Sequence, residues 1–229
     1  MPDLAQQSGA DFADAAYTLL RKIVGVIAVL LPFVLIAGNW WLTGHQIEDS
    51  ISAYYHTHMG NVFVGSLCAL GVFFFSYNYK PLPGFNLDNR LSWIAGGAAI
   101  IVALLPTTRT GHVSDADHVV GRIHLSFAGL LFALLAVFAY FLFPKSSGQM
   151  TPRKIIRNRV YRTCGVIIAV AIILIPISNE WPPPDWLHSF FWLETICVVA
   201  FGVSWLIKGE FLGILADKEP APLPSGGTG

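Results

Sequence analysis

Residues Ile23–Thr43 read IVGVIAVLLPFVLIAGNWWLT, a run without a single charged side chain. A helix needs about 20 apolar residues to cross a hydrocarbon core about 30 Å thick, so this run is long enough to span a bilayer. Five more runs of similar character follow at Met59–Asn78, Asp88–Thr107, His118–Phe143, Arg159–Ser178 and Trp186–Lys208. Together they predict an all-α, polytopic membrane protein, a six-transmembrane-helix bundle. The third and fifth runs have the shortest apolar cores and must borrow flanking residues or lie where the protein is thin. Pro32 and Pro176 fall inside spans, where neighbouring helices can satisfy the freed carbonyls.

Composition agrees. Of 229 residues, 54 % are hydrophobic and only 12 % charged, against about 25 % charged in a soluble domain. The 14 Lys and Arg balance 14 Asp and Glu, so no basic footprint marks nucleic acid as a partner. Membrane lipids are the expected partners. Cys68, Cys164 and Cys197 all lie in apolar runs without Cys-x-x-Cys spacing and read as small core residues.

Asp3, Asp11 and Asp14 stand where a cleavable signal needs a positive leader, so Arg21 and Lys22 before the first run predict a retained signal-anchor helix. The expected organisation is a cytoplasmic N-terminal segment, 1–22, lying on the inner surface or extending the first span. A transmembrane domain, 23–208, follows, then a cytoplasmic tail, 209–229, whose Pro/Gly-rich end from Pro220 cannot pack. No inverted repeat of the transporter kind is evident.

Orientation follows from the cations. With six crossings, Arg21, Lys22, Lys80, Arg90, Lys145, Arg153, Lys154, Arg157, Arg159, Arg162, Lys208 and Lys218 fall on one side, and only Arg109 and Arg122 on the other. Both termini are therefore expected in the cytoplasm of a multi-pass cell-membrane protein. Trp40, Trp41, Trp181 and Trp186 mark the outer boundary. Tyr77, Tyr79, Tyr140, Tyr161 and Trp205 are expected at the inner one. The basic cluster from Arg153 to Arg162 reads as a topology determinant with room for anionic-lipid contact.

In this topology all seven histidines (His45, His56, His58, His112, His118, His124, His188) fall at the outer ends, with Asp49, Asp117, Asp185, Glu180 and Glu194. If the chain is helical from Ser50, then Asp49, Ser52 and His56 share a face, where a carboxylate, a hydroxyl and an imidazole could orient a nucleophile or bind a metal. The alternative is an ordinary helix cap at Asp49 or Ser50 with belt tyrosines behind it. The fourth helix puts Asp117, Gly121 and His124 on one stripe and pairs His118 with Arg122. Glu194 stands within Phe190-Phe191-Trp192-Leu193-Glu194-Thr195-Ile196-Cys197. A lone carboxylate there costs about 2.5–3.5 kcal/mol unless it faces a partner; Arg122, His124 and His56 are the expected partners. Ala95-Gly96-Gly97-Ala98-Ala99 reads as a close helix-packing stripe. No Walker A, His-Glu-x-x-His or Gly-x-Ser-x-Gly occurs.

Ser50-Ile51-Ser52-Ala53-Tyr54-Tyr55-His56-Thr57 and Phe201-Gly202-Val203-Ser204-Trp205-Leu206-Ile207-Lys208-Gly209 resemble an uncharacterised bacterial family of six-helix integral membrane proteins. That resemblance spans the hydrophobic chain and implies topology. More distantly, the chain is similar to the membrane hydrolases of the alkaline ceramidase and adiponectin-receptor kind. Those carry a serine, an aspartate and three zinc-binding histidines in a helical bundle, matched in residue type by Ser52/His56, Asp117/His124 and His188. The chain departs from them in having six spans rather than seven, and Trp192 stands one turn after His188 in place of a second histidine.

The leading expectation is a polar site on the outer face, built from helices two, four and six. It would hold a divalent metal, zinc by ligand type, through two or three of His56, His58, His124 and His188, with Asp49 or Asp117 as ligand or orienter. Ser52 and Glu194 would then handle protons in hydrolysis of a lipid amide or ester. Two other classes stay open: a transporter, channel or proton-linked sensor using Glu194, His124 and Arg122, and a non-catalytic membrane scaffold.

Overall fold

The computed structural model describes residues 2–44, 47–77, 87–109, 114–145 and 150–213, with side chains described from Ala15 onward except Leu212. Six principal helices appear: α1 (Pro2–Thr43), α2 (Gly60–Ser76), α3 (Leu87–Leu104), α4 (Asp115–Val137), α5 (Pro152–Glu180) and α6 (Ser189–Lys208). No strand occurs among the described residues. Among the described residues five helices are long and apolar enough to cross a membrane, and Gly60–Ser76 is a shorter apolar helix. The chain is a helical membrane bundle.

Helix lengths depart from the apolar runs for local reasons. α5 begins before Arg159 because the Thr151 hydroxyl accepts from the Lys154 N–H at 3.2 Å and Pro152 takes the first helical position. The shortest of the six helices is therefore α2 and not the fifth. A 3-10 turn, Ser52–His56, packs at the head of α2. α1 runs unbroken from residue 2, so the N-terminal segment continues the first span. α4 ends in a π-helical turn, Phe138–Leu142. The tail from residue 214, Lys80 and Tyr79, and the loop histidines His45 and His112, lie outside the described residues.

Each helix packs on the next, and α6 closes the ring on α1. Neighbours are antiparallel. Gly25 meets Leu206 while Gly202 approaches the Gly25 carbonyl, and Ser92 Oγ donates to the Phe74 carbonyl at 2.7 Å. Two crossings are backbone-close. A Cβ on Gly202 would stand 2.9 Å from the Gly25 oxygen, and one on Gly96 2.9 Å from the Gly71 oxygen. Small residues let membrane helices approach in this way.

The up-down course gives the bundle two unlike ends. The segments 47–59, 105–109 and 181–188 share one end with Trp40, Trp41, Trp181 and Trp186, which are all exposed. The opposite end carries ten of the described cations. There the expected inner aromatic belt is instead core. Trp205, Tyr77 and Tyr161 are buried, and Trp205 packs edge-on against Phe73, Tyr77 and Phe143 with ring centroids 4.9–5.1 Å apart. Helix phase turns these rings inward, so aromatic character near a helix end does not by itself mark an interface. Of the expected belt only Tyr140 is exposed among the described residues.

Candidate functional site: a polar cavity over a carboxylate clamp

Ser50 opens the site. Its hydroxyl accepts from the Ala53 N–H at 2.9 Å, which tightens residues 50–53 into the 3-10 turn. The turn has no side-chain cap of its own, leaving the Ile51 and Ser52 N–H groups pointing into the bundle. Glu194 of α6 meets them. Its Oε2 accepts from the Ile51 N–H at 2.6 Å and the Ser52 N–H at 3.4 Å, and Oε1 accepts from the Ser52 hydroxyl at 3.2 Å. The carboxylate is buried, as is Ser52. Glu194 thus clamps the α1–α2 segment to α6.

These partners differ from the expected Arg122, His124 and His56, because the turn inserts backbone donors that spacing within a helix does not reveal. Arg122 is exposed on α4, and among the described residues it has no ion-pair partner.

The other expected residues separate. Asp49, Ser52 and His56 do not share a face. The helix starts after Asp49, whose side chain is 83 % exposed, while Ser52 points down to Glu194 and His56 points to the α3–α4 segment. His56 donates from Nε2 to the Thr107 carbonyl at 2.8 Å, and its Nδ1 accepts from Arg109 Nε at 3.0 Å. Both ring nitrogens are committed, in the neutral tautomer this pattern assigns. His124 is buried and donates from Nδ1 to the Leu105 carbonyl at 2.7 Å. Two histidines from different helices therefore tie down the carbonyls where the chain leaves α3. Gly121 makes room for the same segment, since a Cβ there would collide with Thr108 Oγ1. Asp117 is exposed at the helix start, closing a capping box with Ser114. His58 is exposed.

His188 ends the α5–α6 segment in a left-handed conformation, φ 42° and ψ 49°. Such backbone strain in a residue other than glycine persists only where the surroundings hold it. Its Nδ1 is buried without a hydrogen bond, 3.9 Å from Asp49 Oδ1.

Asp49, His56 and His188 converge with Glu48, Arg109 and Asp185 on one open cavity of about 860 Å³. That volume lies within the roughly 300–1,000 Å³ of ligand sites. It is built from the three connecting segments at this end together with Ser178 and Asn179 of α5 and Ser189 and Phe190 of α6, and no residue of α2 or α4 lines it. Further into the bundle, on the far side of Ile51 and Ser52, lies a smaller apolar cavity of about 60 Å³ with Glu194 at its polar edge.

Among the described residues no group of three or more His, Cys, Asp or Glu side chains is placed to hold a metal ion; His56 spends both ring nitrogens on the Thr107 carbonyl and Arg109, while His188 Nδ1 and the buried His124 Nε2 have no hydrogen-bond partner. What the cavity offers is two exposed carboxylates, Asp49 and Asp185, facing a guanidinium, Arg109, with the His188 imidazole between the α5–α6 segment and Asp49. Sequence reasoning missed Arg109, whose only signal was its place among two cations on a side otherwise bare of them. Comparison with protein-family models, curated proteins and solved structures finds no match to this chain.

Proposed function

We propose that this chain is an integral membrane protein that binds a zwitterionic headgroup, of the aminoalkyl phosphodiester class, in the Asp49/Arg109/His188 cavity. The observation that carries the reading is the cavity's split charge: exposed carboxylates on the 47–59 and 181–188 segments, and a guanidinium held in place by His56. An ammonium group suits Asp49 and Asp185. The phosphodiester suits the N–H donors of Arg109 that His56 leaves free.

The cavity's level in the membrane supports a lipid source. Trp181 and Trp186, each 76 % exposed, flank it on the α5–α6 segment, where amphipathic rings sit at headgroup depth. The bias of cations to the opposite end supports an outward-facing cavity in a multi-pass cell-membrane protein. Glu194 acts here as a structural clamp, which favours binding over transport. The far half of the bundle is filled by Phe74, Phe138, Phe143, Phe201 and Trp205.

Titrating the detergent-purified chain with glycerophosphoethanolamine tests the reading. Saturable binding that weakens on the order of tenfold in Arg109→Gln and in Asp49→Asn is expected, the loss of one charge-assisted contact each. Binding that is absent, or unchanged in both variants, overturns it.

A further inference from the structure

Among the described residues nothing fills the hydrogen-bonding position of His188 Nδ1, which is buried in the cavity wall. It stands 3.9 Å from Asp49 Oδ1, too far for a direct hydrogen bond. With the ring's single proton on Nε2, Nδ1 offers a lone pair, so two acceptors from different connecting segments flank one gap. The gap has the width of one bridging donor. A nitrogen about 2.8 Å from each atom sees them roughly 90° apart, within reach of two N–H bonds on one tetrahedral centre.

We propose that Asp49 and His188 select the headgroup by its N–H count. The cavity then takes primary and secondary ammonium headgroups, of the ethanolamine class, and discriminates against quaternary ones of the choline class. His188 is the specificity-determining residue. The inference rests on the headgroup reading and adds to it what the amine end must carry. An ammonium with two or more N–H bonds donates to both acceptors at once. A quaternary ammonium donates none, and its methyl groups leave Nδ1 buried and unfilled.

The rest of the wall points the same way. Quaternary ammonium groups are recognised by cages of aromatic faces. Among the described residues lining this cavity, Phe190 is the one phenyl, indole or phenol ring. Ser50, Ser178, Asn179, Asp185 and Ser189 put side-chain oxygens around it instead. The imidazole is also firmly placed. The His188 N–H donates to the Asp185 carbonyl at 3.1 Å, and its carbonyl accepts from the Trp192 N–H at 3.1 Å. A glycine would hold this left-handed turn without strain, yet the chain keeps an imidazole there.

The test titrates the whole detergent-purified chain at about pH 8, above the ordinary range of imidazole. The ligands are glycerophosphoethanolamine and its N-methyl, N,N-dimethyl and N,N,N-trimethyl derivatives, which carry three, two, one and no N–H bonds on the same charge. Affinity should hold within about threefold from the first to the second. It should then fall on the order of tenfold at the third, where only one acceptor can be served. In His188→Gly, which keeps the turn, that step should vanish and the primary amine should bind more weakly than in wild type. No binding of glycerophosphoethanolamine removes the headgroup reading and this inference with it. Binding of all four ligands within about threefold leaves that reading standing and overturns selection by N–H count. A step that survives in His188→Gly, or a primary amine bound there as tightly as in wild type, overturns the role of His188.

Discussion

Removing the Glu194 carboxylate should release the segment that floors the His188 cavity. Glu194 accepts one short bond, 2.6 Å from the Ile51 N–H, and two longer ones at 3.4 Å and 3.2 Å from the Ser52 N–H and hydroxyl. A hydrogen bond to a charged group contributes about 1.5–3 kcal/mol, and the two longer ones are taken at about 0.5–1.5 kcal/mol each. Glu194→Ala, which leaves these buried donors without an acceptor, is therefore expected to cost roughly 3–5 kcal/mol. Glu194→Gln keeps a carbonyl for the Ile51 N–H and should cost only about 1–2 kcal/mol. Equilibrium unfolding of the detergent-solubilised chain reads the stability. Hydrogen exchange over residues 50–56 reads the clamp, with faster exchange expected in Glu194→Ala and an intermediate rate in Glu194→Gln. An alanine variant within about 0.5 kcal/mol of wild type, with unchanged exchange in that segment, would refute the clamp.

Four further outcomes follow from the packing. Gly121→Ala should cost about 1–3 kcal/mol, because the added methyl meets Thr108, and it should weaken headgroup binding by shifting Arg109; thermal melts and titration read the two effects. Trp205→Ala opens the aromatic core and should cost about 3–5 kcal/mol. Trp205→Phe should cost under about 1.5 kcal/mol, since the buried indole N–H has no acceptor to lose; denaturation midpoints of the two variants decide this. His188→Gly relieves a left-handed residue worth about 1–2 kcal/mol, so the melting temperature should hold or rise while headgroup affinity falls. Burial raises the Tyr54 phenol above its usual range, partly offset by the Glu48 N–H donating to its oxygen. A raised pKa favours folding while the phenol keeps its proton, so stability is intact below about pH 10 and declines as pH climbs through the folded-state value. Tyr54→Phe should flatten that alkaline decline in a pH series of melts.

The bundle was legible because span length, charge exclusion and cation bias are properties of contiguous sequence. Glu194 stood out for the same reason: a carboxylate in Phe190–Cys197 is anomalous wherever it points. Its partners were not legible. They are backbone N–H groups of Ile51 and Ser52, which any residues there would carry, presented by a 3-10 turn where an α-helix was expected. The carbonyl partners of two histidines were hidden for a related reason. His56 and His124 look like ligands by type, yet they serve the carbonyls of Thr107 and Leu105, a demand created only when α3 and α4 pack side by side. Tyr77, Tyr161 and Trp205 show the converse. Composition placed them near an interface, and helix phase put them in the core.

The central claim is that a headgroup occupies the cavity of Asp49, Arg109 and His188. A phosphatidylethanolamine analogue with a photoreactive group on an N-alkyl substituent that leaves the amine charged, activated with the full chain in native membranes and mapped by peptide mass spectrometry, tests it most directly. The account predicts adducts on residues 48–56, 107–109 and 178–190, lost when excess glycerophosphoethanolamine is present. Adducts confined to the exposed helix faces, indifferent to that competitor, would contradict it.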